Sequence, residues 1–468
     1  MKKVYFIVFL CLIIFCNKIN AQVTLINDNH SLSGYPIFGN SIFLTSDVDS
    51  TLWTSDGTMT GTKQFASNVK FDGDGALFNN KLYFAGIDAA HGSELWVTDG
   101  TAGGTKLVQD ILPGSASSSP SNFFVFKNEL YFTDSTSVGE QLYKFNGSTV
   151  SLFKIINPTG DAFDNGGDFF SNNNLLYFTA DDGVHGTELW VSDGTAANTK
   201  MLKDITTGGD TNFGSFINLG NLVIFTVTTP YNSPIPFSMD LWKTDGTTTT
   251  LIKSFGIASS SAGAFGLLAF NNKIYFDGTD STHGTELWST DGNTASLVKD
   301  INAGKGNSSP QLFNSVFINN RFIFSVIGND GAQLWSSDGT AANTILIKDI
   351  NPGVTGSVAE LFPVFDYSKI LNEGSIYNFY QRGTLLNGYI FFSVFDGTNG
   401  AQLWKTNGTA AGTVLIKDFD KGGLIYSYFY TKTGLYFSAD DGTKGAEPWF
   451  TDGTATNTQM VADINSGN

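Results

Sequence analysis

ELWVTDGT, residues Glu94 to Thr101, is the stretch whose reading decides the architecture, because the chain repeats it. Its copies are TLWTSDGT (51–58), ELWVSDGT (188–195), DLWKTDGT (240–247), ELWSTDGN (286–293), QLWSSDGT (333–340), QLWKTNGT (402–409) and EPWFTDGT (447–454). All 8 tryptophans of the protein, Trp53, Trp96, Trp190, Trp242, Trp288, Trp335, Trp404 and Trp449, occupy one slot of this string. QLYKFNGS (141–148) is a degenerate ninth copy, with Tyr143 in the tryptophan slot. Successive slots lie 43, 47, 47, 52, 46, 47, 69 and 45 residues apart. Self-similarity at such a period is the mark of a repeat architecture.

Each unit reads as four strands. In the degenerate unit, Asn122–Lys127 and Leu130–Thr133 are apolar runs joined by a turn at Asn128-Glu129, Gln141–Phe145 follows a polar loop, and Asn146-Gly147 turns the chain into Val150–Ile156. Alternating Val, Ile, Phe and Tyr between Asn-Gly, Asp-Gly and Asn-Asn pairs is the pattern of β-hairpins. No segment shows sustained helical periodicity with caps, so helices are expected to be nearly absent. A four-stranded unit of this size cannot bury both of its faces alone, and radial stacking solves that. The expectation is an all-β protein, a β-propeller of about nine blades. Eight is the alternative if the degenerate or the insertion-bearing unit merges with a neighbour. Val23–Asn27 resembles a fourth strand and is a candidate for closing the ring.

Residues 1–21 read as a cleavable export signal: Lys2 and Lys3, an apolar run from Val4 to Phe15, and Ile19-Asn20-Ala21 before Gln22. Lipid anchoring at Cys16 is the weaker reading, because bulky Phe15 precedes it. Removing the segment takes both cysteines, Cys11 and Cys16, so no disulfide staples the mature chain. It also leaves 23 basic against 43 acidic residues, a net charge of −20. Such a charge repels phosphate, which excludes nucleic acid as a default partner. No later stretch resembles a membrane-spanning helix. The expected address is secreted or at the cell surface, with periplasmic retention as the alternative.

The recurring tryptophans are expected to pack between units rather than to stack sugars. The Asp-Gly-Thr turns are expected to be structural, since one Asp per turn does not assemble a calcium site. Asp88-x-x-His91, Asp182-x-x-His185 and Asp280-x-x-His283 form a second repeated turn. One histidine per unit makes no zinc site unless units converge. No cofactor is therefore expected, with calcium at the turns as the lesser alternative. In the usual propeller winding these turns share a face with linkers such as Leu112–Pro120 and Asn302–Pro310, which makes that face the first guess for ligand binding. An insertion at about 363–387 carries Asp366, Tyr367, Lys369, Glu373, Tyr377, Tyr380 and Arg382 and is the second candidate.

The strings above, with the tails at Gly104–Gly114, Gly412–Asp418 and Ala341–Gly353, resemble the secreted ELWxxDGT-repeat proteins of bacteria across nearly all of the mature chain. The resemblance implies exported, propeller-like proteins whose biochemical role is largely unassigned. Relatives often carry a C-terminal sorting domain, which this sequence, ending at Asn468, does not contain.

Nearly every placeable Asp and Glu falls in a repeated slot, and GxSxG, HExxH and P-loop motifs are absent. The expected function is thus a monomeric, non-enzymatic binding or scaffold module for extracellular glycans or proteins. The alternatives are a propeller-type polysaccharide-degrading enzyme, which needs a facing carboxylate pair, and a structural surface-layer or adhesion protein.

Overall fold

The computed structural model describes residues 32–38, 41–46, 50–55, 63–66, 68–163, 167–228, 239–255, 266–328, 331–350, 352, 358–361, 386–395, 400–419, 425–431 and 433–463. The export signal, Val23–Asn27 and insertion residues 363–385 lie outside them.

Among the described residues the chain forms nine four-stranded sheets, numbered 1 to 9 in chain order, each with its strands in sequence order. Every pairing is antiparallel; in sheet 2 the strands are Lys70–Phe78, Lys81–Asp88, Gly92–Thr98 and Lys106–Gln109. The protein is all-β, with the four-stranded meanders of the β-propeller class. The one helical segment described is a single 3₁₀ turn, Ala196–Asn198. In sheet 3 the first strand is Ser121–Phe126, the third Gly139–Phe145 and the fourth Val150–Lys154. The turn expected at Asn128-Glu129 sits one residue earlier: Lys127 and Asn128 take φ of 48° and 59°, the left-handed pair a two-residue hairpin turn requires.

Contact clustering separates two units. Unit 1 holds sheets 1 to 4 and unit 2 holds sheets 5 to 9. Inside each, the core is a series of layers between consecutive sheets. Leu95 faces sheet 3, among Phe123, Leu130 and Phe145, whereas Trp96 faces sheet 1, against Leu52 and Phe65. The same division holds for Leu287 and Trp288 and for Leu403 and Trp404. Adjacent strand residues point to opposite faces, so in sheets 2, 6 and 8 the Leu-Trp pair packs against the sheets before and after it in the same unit. The ladder between third and fourth strands shifts register at this pair in sheets 1 to 8, as between Leu95 and Trp96.

The indoles are buried at Trp96, Trp190, Trp288 and Trp449 and partly buried at Trp53, Trp242, Trp335 and Trp404. A lysine from the preceding sheet covers several: Lys253 Nζ lies 5.3 Å from the Trp288 ring, Lys348 5.9 Å from Trp404 and Lys417 5.1 Å from Trp449. Each such contact contributes roughly 0.5–2 kcal/mol.

Candidate functional site

The three Asp-x-x-His turns are self-contained. His91 Nδ1 lies 2.9 Å from Asp88 Oδ2, His185 Nδ1 2.8 Å from Asp182 and His283 Nδ1 2.9 Å from Asp280. The aspartates also accept backbone N–H groups of their own turn, as Asp88 Oδ1 does from His91 at 2.7 Å. Hydrogen bonding to the aspartate raises each histidine above its ordinary value. Partial burial works against ionisation of the aspartates, yet the bonds from histidine and backbone hold all three below theirs. The next residue docks the turn on the linker. Gly92 has φ of 70°, and a Cβ there would sit 2.6 Å from the Ala116 carbonyl oxygen, so only glycine allows this approach. The histidines are thus paired with turn aspartates and not gathered with one another. Among the described residues, no three His, Cys, Asp or Glu side chains form a group that could hold a metal ion.

The turn residues behave likewise. Asp99 Oδ1 accepts the Thr101 N–H at 3.0 Å and its hydroxyl at 2.7 Å, while Thr98 and Thr105 hydroxyls meet at 2.8 Å. Tyr377, Tyr380 and Arg382 lie outside the described residues.

The sequence reading passes over the Glu of the ELW string, and the structure gives it a part. Glu94 is fully buried and accepts the N–H groups of Ile111 (2.8 Å) and Leu112 (3.1 Å) and the Ser118 hydroxyl (2.8 Å), tying the outgoing linker to its sheet. Glu286 does the same with Ile301, Asn302 and Ser308, and Gln141 with Ile156 and Asn157. Burial raises Glu94 and Glu188 and brings Glu286 to about 7.

Several carboxylates that the sequence reading left unassigned depart from the repeat. Counting five residues back from the turn that ends the first strand in sheets 2 to 7 gives Asp74, Asn122, Asp168, Ser215, Gly266 and Asn314. In unit 1 this one position therefore carries Asp, Asn and Asp in sheets 2, 3 and 4, whose first strands lie side by side. Asp74 is half-buried; burial raises it, against the pull of the Gly75 N–H, which donates to its Oδ1 at 2.7 Å. Asp168 is half-buried too, and burial raises it with nothing opposing. Its own N–H donates to Thr179 Oγ1 at 3.1 Å.

Sheet 3 collects further departures. Asp134 stands where sheets 2 and 4 to 9 hold Gly86, Ala180, Val227, Gly278, Val326, Val394 and Ala439. It is fully buried, accepts the Ser135 N–H at 2.8 Å with Oδ1, and has no partner for Oδ2. Burial, beside Glu94 and Glu140, pushes it up to about 8. Glu140 Oε1 accepts hydrogen bonds from Ser121 Oγ (3.1 Å) and Thr133 Oγ1. In unit 2, Asp277 replaces the Ser or Thr found at this slot in most other sheets; burial raises it strongly, and its Oδ1 has no partner.

No family model and no curated protein matches the chain. Among solved structures, a puromycin hydrolase aligns at 12% identity and a TM-score of 0.34, over 75% of this chain and 54% of its own. A prolyl endopeptidase aligns at 9% identity and 0.37, over 80% and 54%. A putative TolB from Agrobacterium tumefaciens aligns at 12% and 0.30, over 46% and 78%. The chain spans about half the length of the two enzymes. At these identities the likeness bears on the fold alone. The aligned structures include hydrolases and peptidases rather than the non-enzymatic binding or scaffold modules expected from the sequence, and that expectation is not carried forward. The described residues contain no helix long and apolar enough to cross a membrane.

Proposed function

We propose that this chain is a propeller-type glycoside hydrolase, exported by residues 1–21 and related to the ELWxxDGT-repeat proteins. The observation that carries the reading is the recurrence of two half-buried carboxylates, Asp74 and Asp168, at the same distance from the first-strand turn in sheets 2 and 4 of unit 1, whose first strands flank that of sheet 3. Glycoside hydrolysis needs one carboxyl that keeps its proton and one that stays ionised, and different surroundings separate their roles. Asp168, raised by burial without opposing hydrogen bonds, is the proton donor. Asp74 is raised by burial too, but its Oδ1 accepts the Gly75 N–H at 2.7 Å, which opposes the rise and makes it the base that activates water. The sheet between them favours the wide spacing of the water-using, inverting reaction over direct attack by a carboxylate. A chain of net charge −17, or −20 once the export signal is removed, repels polyanions, so the substrate class is a neutral or amino polysaccharide.

The test is release of reducing ends from a panel of neutral and amino polysaccharides by the chain lacking residues 1–21. D74N and D168N should each lower turnover by about 10²-fold or more while leaving the circular dichroism unchanged. Turnover undiminished in either variant, or none by the wild type, overturns the assignment.

A further inference from the structure

The glutamate that ties each outgoing linker to its sheet lies three residues after the turn histidine, and a second carboxylate stands across the sheet from it. The ladder between third and fourth strands pairs Gln333 with Asp349 and Gln402 with Asp418. The same register, continued one step from Leu95–Gln109, Leu189–Lys203 and Leu287–Lys299, sets Glu94 opposite Asp110, Glu188 opposite Asp204 and Glu286 opposite Asp300. Like charges directly opposite on neighbouring strands repel. Several of these oxygens are also shut from water without a hydrogen-bond donor: Asp110 Oδ1, Glu188 Oε2, Asp204 Oδ1 and Asp300 Oδ1. Such a pair needs a positive charge nearby, or one of the two keeps a proton.

Across the nine copies, the turn supplies that charge. Glutamate and aspartate fill both slots in sheets 2, 4, 6 and 9, and there the turn residue is His91, His185, His283 and Lys444. In sheets 1, 3, 5, 7 and 8 the slots hold Thr51 and Ser67, Gln141 and Ile155, Asp240 and Ser254, Gln333 and Asp349, and Gln402 and Asp418. The turn residue in those five is Val48, Val138, Phe237, Asp330 and Asn399. A basic side chain thus accompanies the double carboxylate in every copy that has one, and no other copy carries it. Sheet 9 shows the contact: Lys444 Nζ lies 3.0 Å from Oδ2 of Asp463, the counterpart of Asp300. With a single carboxylate a neutral donor serves, as Gln402 Nε2 donates to Asp418 Oδ2 at 3.3 Å and Ser254 Oγ to Asp240. In the histidine turns Nδ1 is held first by the turn aspartate, and the carboxylates across the sheet add to the pull toward the charged ring.

We infer that His91, His185 and His283 are titratable counter-ions of these carboxylate pairs, and that their charge governs how firmly sheets 2, 4 and 6 hold their outgoing linkers. In sheet 6, Glu286 accepts the N–H groups of Ile301 (2.6 Å) and Asn302 (3.3 Å) and the Ser308 hydroxyl (2.8 Å). While His283 is protonated, Glu286 and Asp300 both stay ionised and the linker keeps its acceptor. Once the ring loses its proton, the facing pair is uncompensated and the linker opens more readily. The histidine is raised in the fold, so this hold is complete below the ordinary value of 6.5 and fades as pH rises through the raised one. The side chains are 35%, 39% and 32% exposed, and solvent screening keeps the effect modest. The charged groups on the elements around His91 are Asp88, Glu94 and Asp110, with Asp134 in the next sheet. Around His185 they are Asp161, Asp181, Asp182, Glu188, Lys203, Asp204 and Asp210, and around His283 they are Asp277, Asp280, Glu286, Lys299, Asp300 and Lys305.

The experiment is hydrogen exchange of the Ile301 and Asn302 amides at pH 6 and pH 8, corrected for intrinsic rates, in the chain lacking residues 1–21. The wild type should open about threefold or more readily at pH 8. H283K places the sheet 9 cation in sheet 6 and should exchange alike at both pH values. The pair H283N/E286Q reproduces sheet 8, removes the double carboxylate and should also be flat; it stands in if H283K does not fold. An imidazole NMR titration gives the second readout: D300N should lower the His283 midpoint and leave those of His91 and His185 where they are. Wild-type exchange that is the same at pH 6 and pH 8 overturns the inference. So does an H283K chain that keeps the wild-type pH dependence, or a His283 midpoint unmoved by D300N, which would mean that the turn aspartate alone sets its charge.

Discussion

Replacing Asp134 by Asn tests how sheet 3 tolerates a carboxyl that every other described sheet avoids. Asp134 is raised from 3.8 to about 8 by burial and by Glu94 and Glu140. A folded-state value above the unfolded one means that the protonated form is favoured in the fold. The associated stability is complete below about pH 4 and is lost as pH rises toward 8. The slope in that window is about 1.4 kcal/mol per pH unit, which gives an upper bound of about 4 kcal/mol by pH 7. Relaxation and water entry reduce such penalties, and we expect about 2 kcal/mol. Asn has the shape of the protonated acid, keeps an acceptor for the Ser135 N–H, and does not titrate. D134N should therefore match the wild type near pH 4 and exceed it increasingly up to about pH 8. A chain of this size does not unfold in two states, so the suitable measure is local. Hydrogen exchange of strand Glu129–Thr136, corrected for intrinsic rates, reports the opening free energy of this segment. A difference between D134N and wild type that stays constant from pH 4 to pH 8 would refute the reasoning, as would a D134N strand that opens more readily at pH 7.

Two further substitutions probe the packing. In G278A the new Cβ would lie 2.7 Å from Trp288 Cδ1 and 2.9 Å from Phe255 Cε1, so overpacking should cost about 1–3 kcal/mol and lower the thermal midpoint. G103A, with no atom within 4 Å of its Cβ, is the control and should change stability by less than about 0.5 kcal/mol. D277T restores the hydroxyl that Thr133, Thr179 and Thr226 supply at the same position and removes an unpartnered buried oxygen. It should stabilise sheet 6 by about 1–2 kcal/mol at pH 7, seen as slower hydrogen exchange in strand Lys273–Asp280; faster exchange would count against it.

The sheets are legible in the sequence because their markers are extreme. An indole fits only where two sheets leave room for it, and Asn-Asn or Asp-Gly pairs take the left-handed backbone that hairpin turns need, as at Asn79-Asn80 and Asn271-Asn272. The misplaced turn at Lys127-Asn128 shows the limit, since lysine carries no turn signal and only the ladder sets the register. The site is far less legible. Asp74 and Asp168 stand out only when first strands are aligned on their closing turn, whereas the tryptophan register lies two strands away. Glu140 and Asn122 are 18 residues apart, and antiparallel pairing alone brings them together.

The two oddities of sheet 3 are then one change seen at two places. A Cβ on Gly86 would come within 2.6 Å of the Trp96 ring, and the Trp190 and Trp449 N–H groups bond the carbonyls of Ala180 and Ala439 at 3.0 Å, so in these sheets the indole constrains the second-strand position. Tyr143 is a smaller ring without an indole N–H, so the corresponding position in sheet 3 is released from those limits. Asp134 occupies the released position and lies close enough to Tyr143 to raise it. The lost indole thus opens polar space in the same sheet that holds the Glu140, Thr133, Ser121 and Asn122 network. Repeat decay here marks where packing constraints were exchanged for a polar network, which is why the weakest copy of the motif is the first place to look for chemistry.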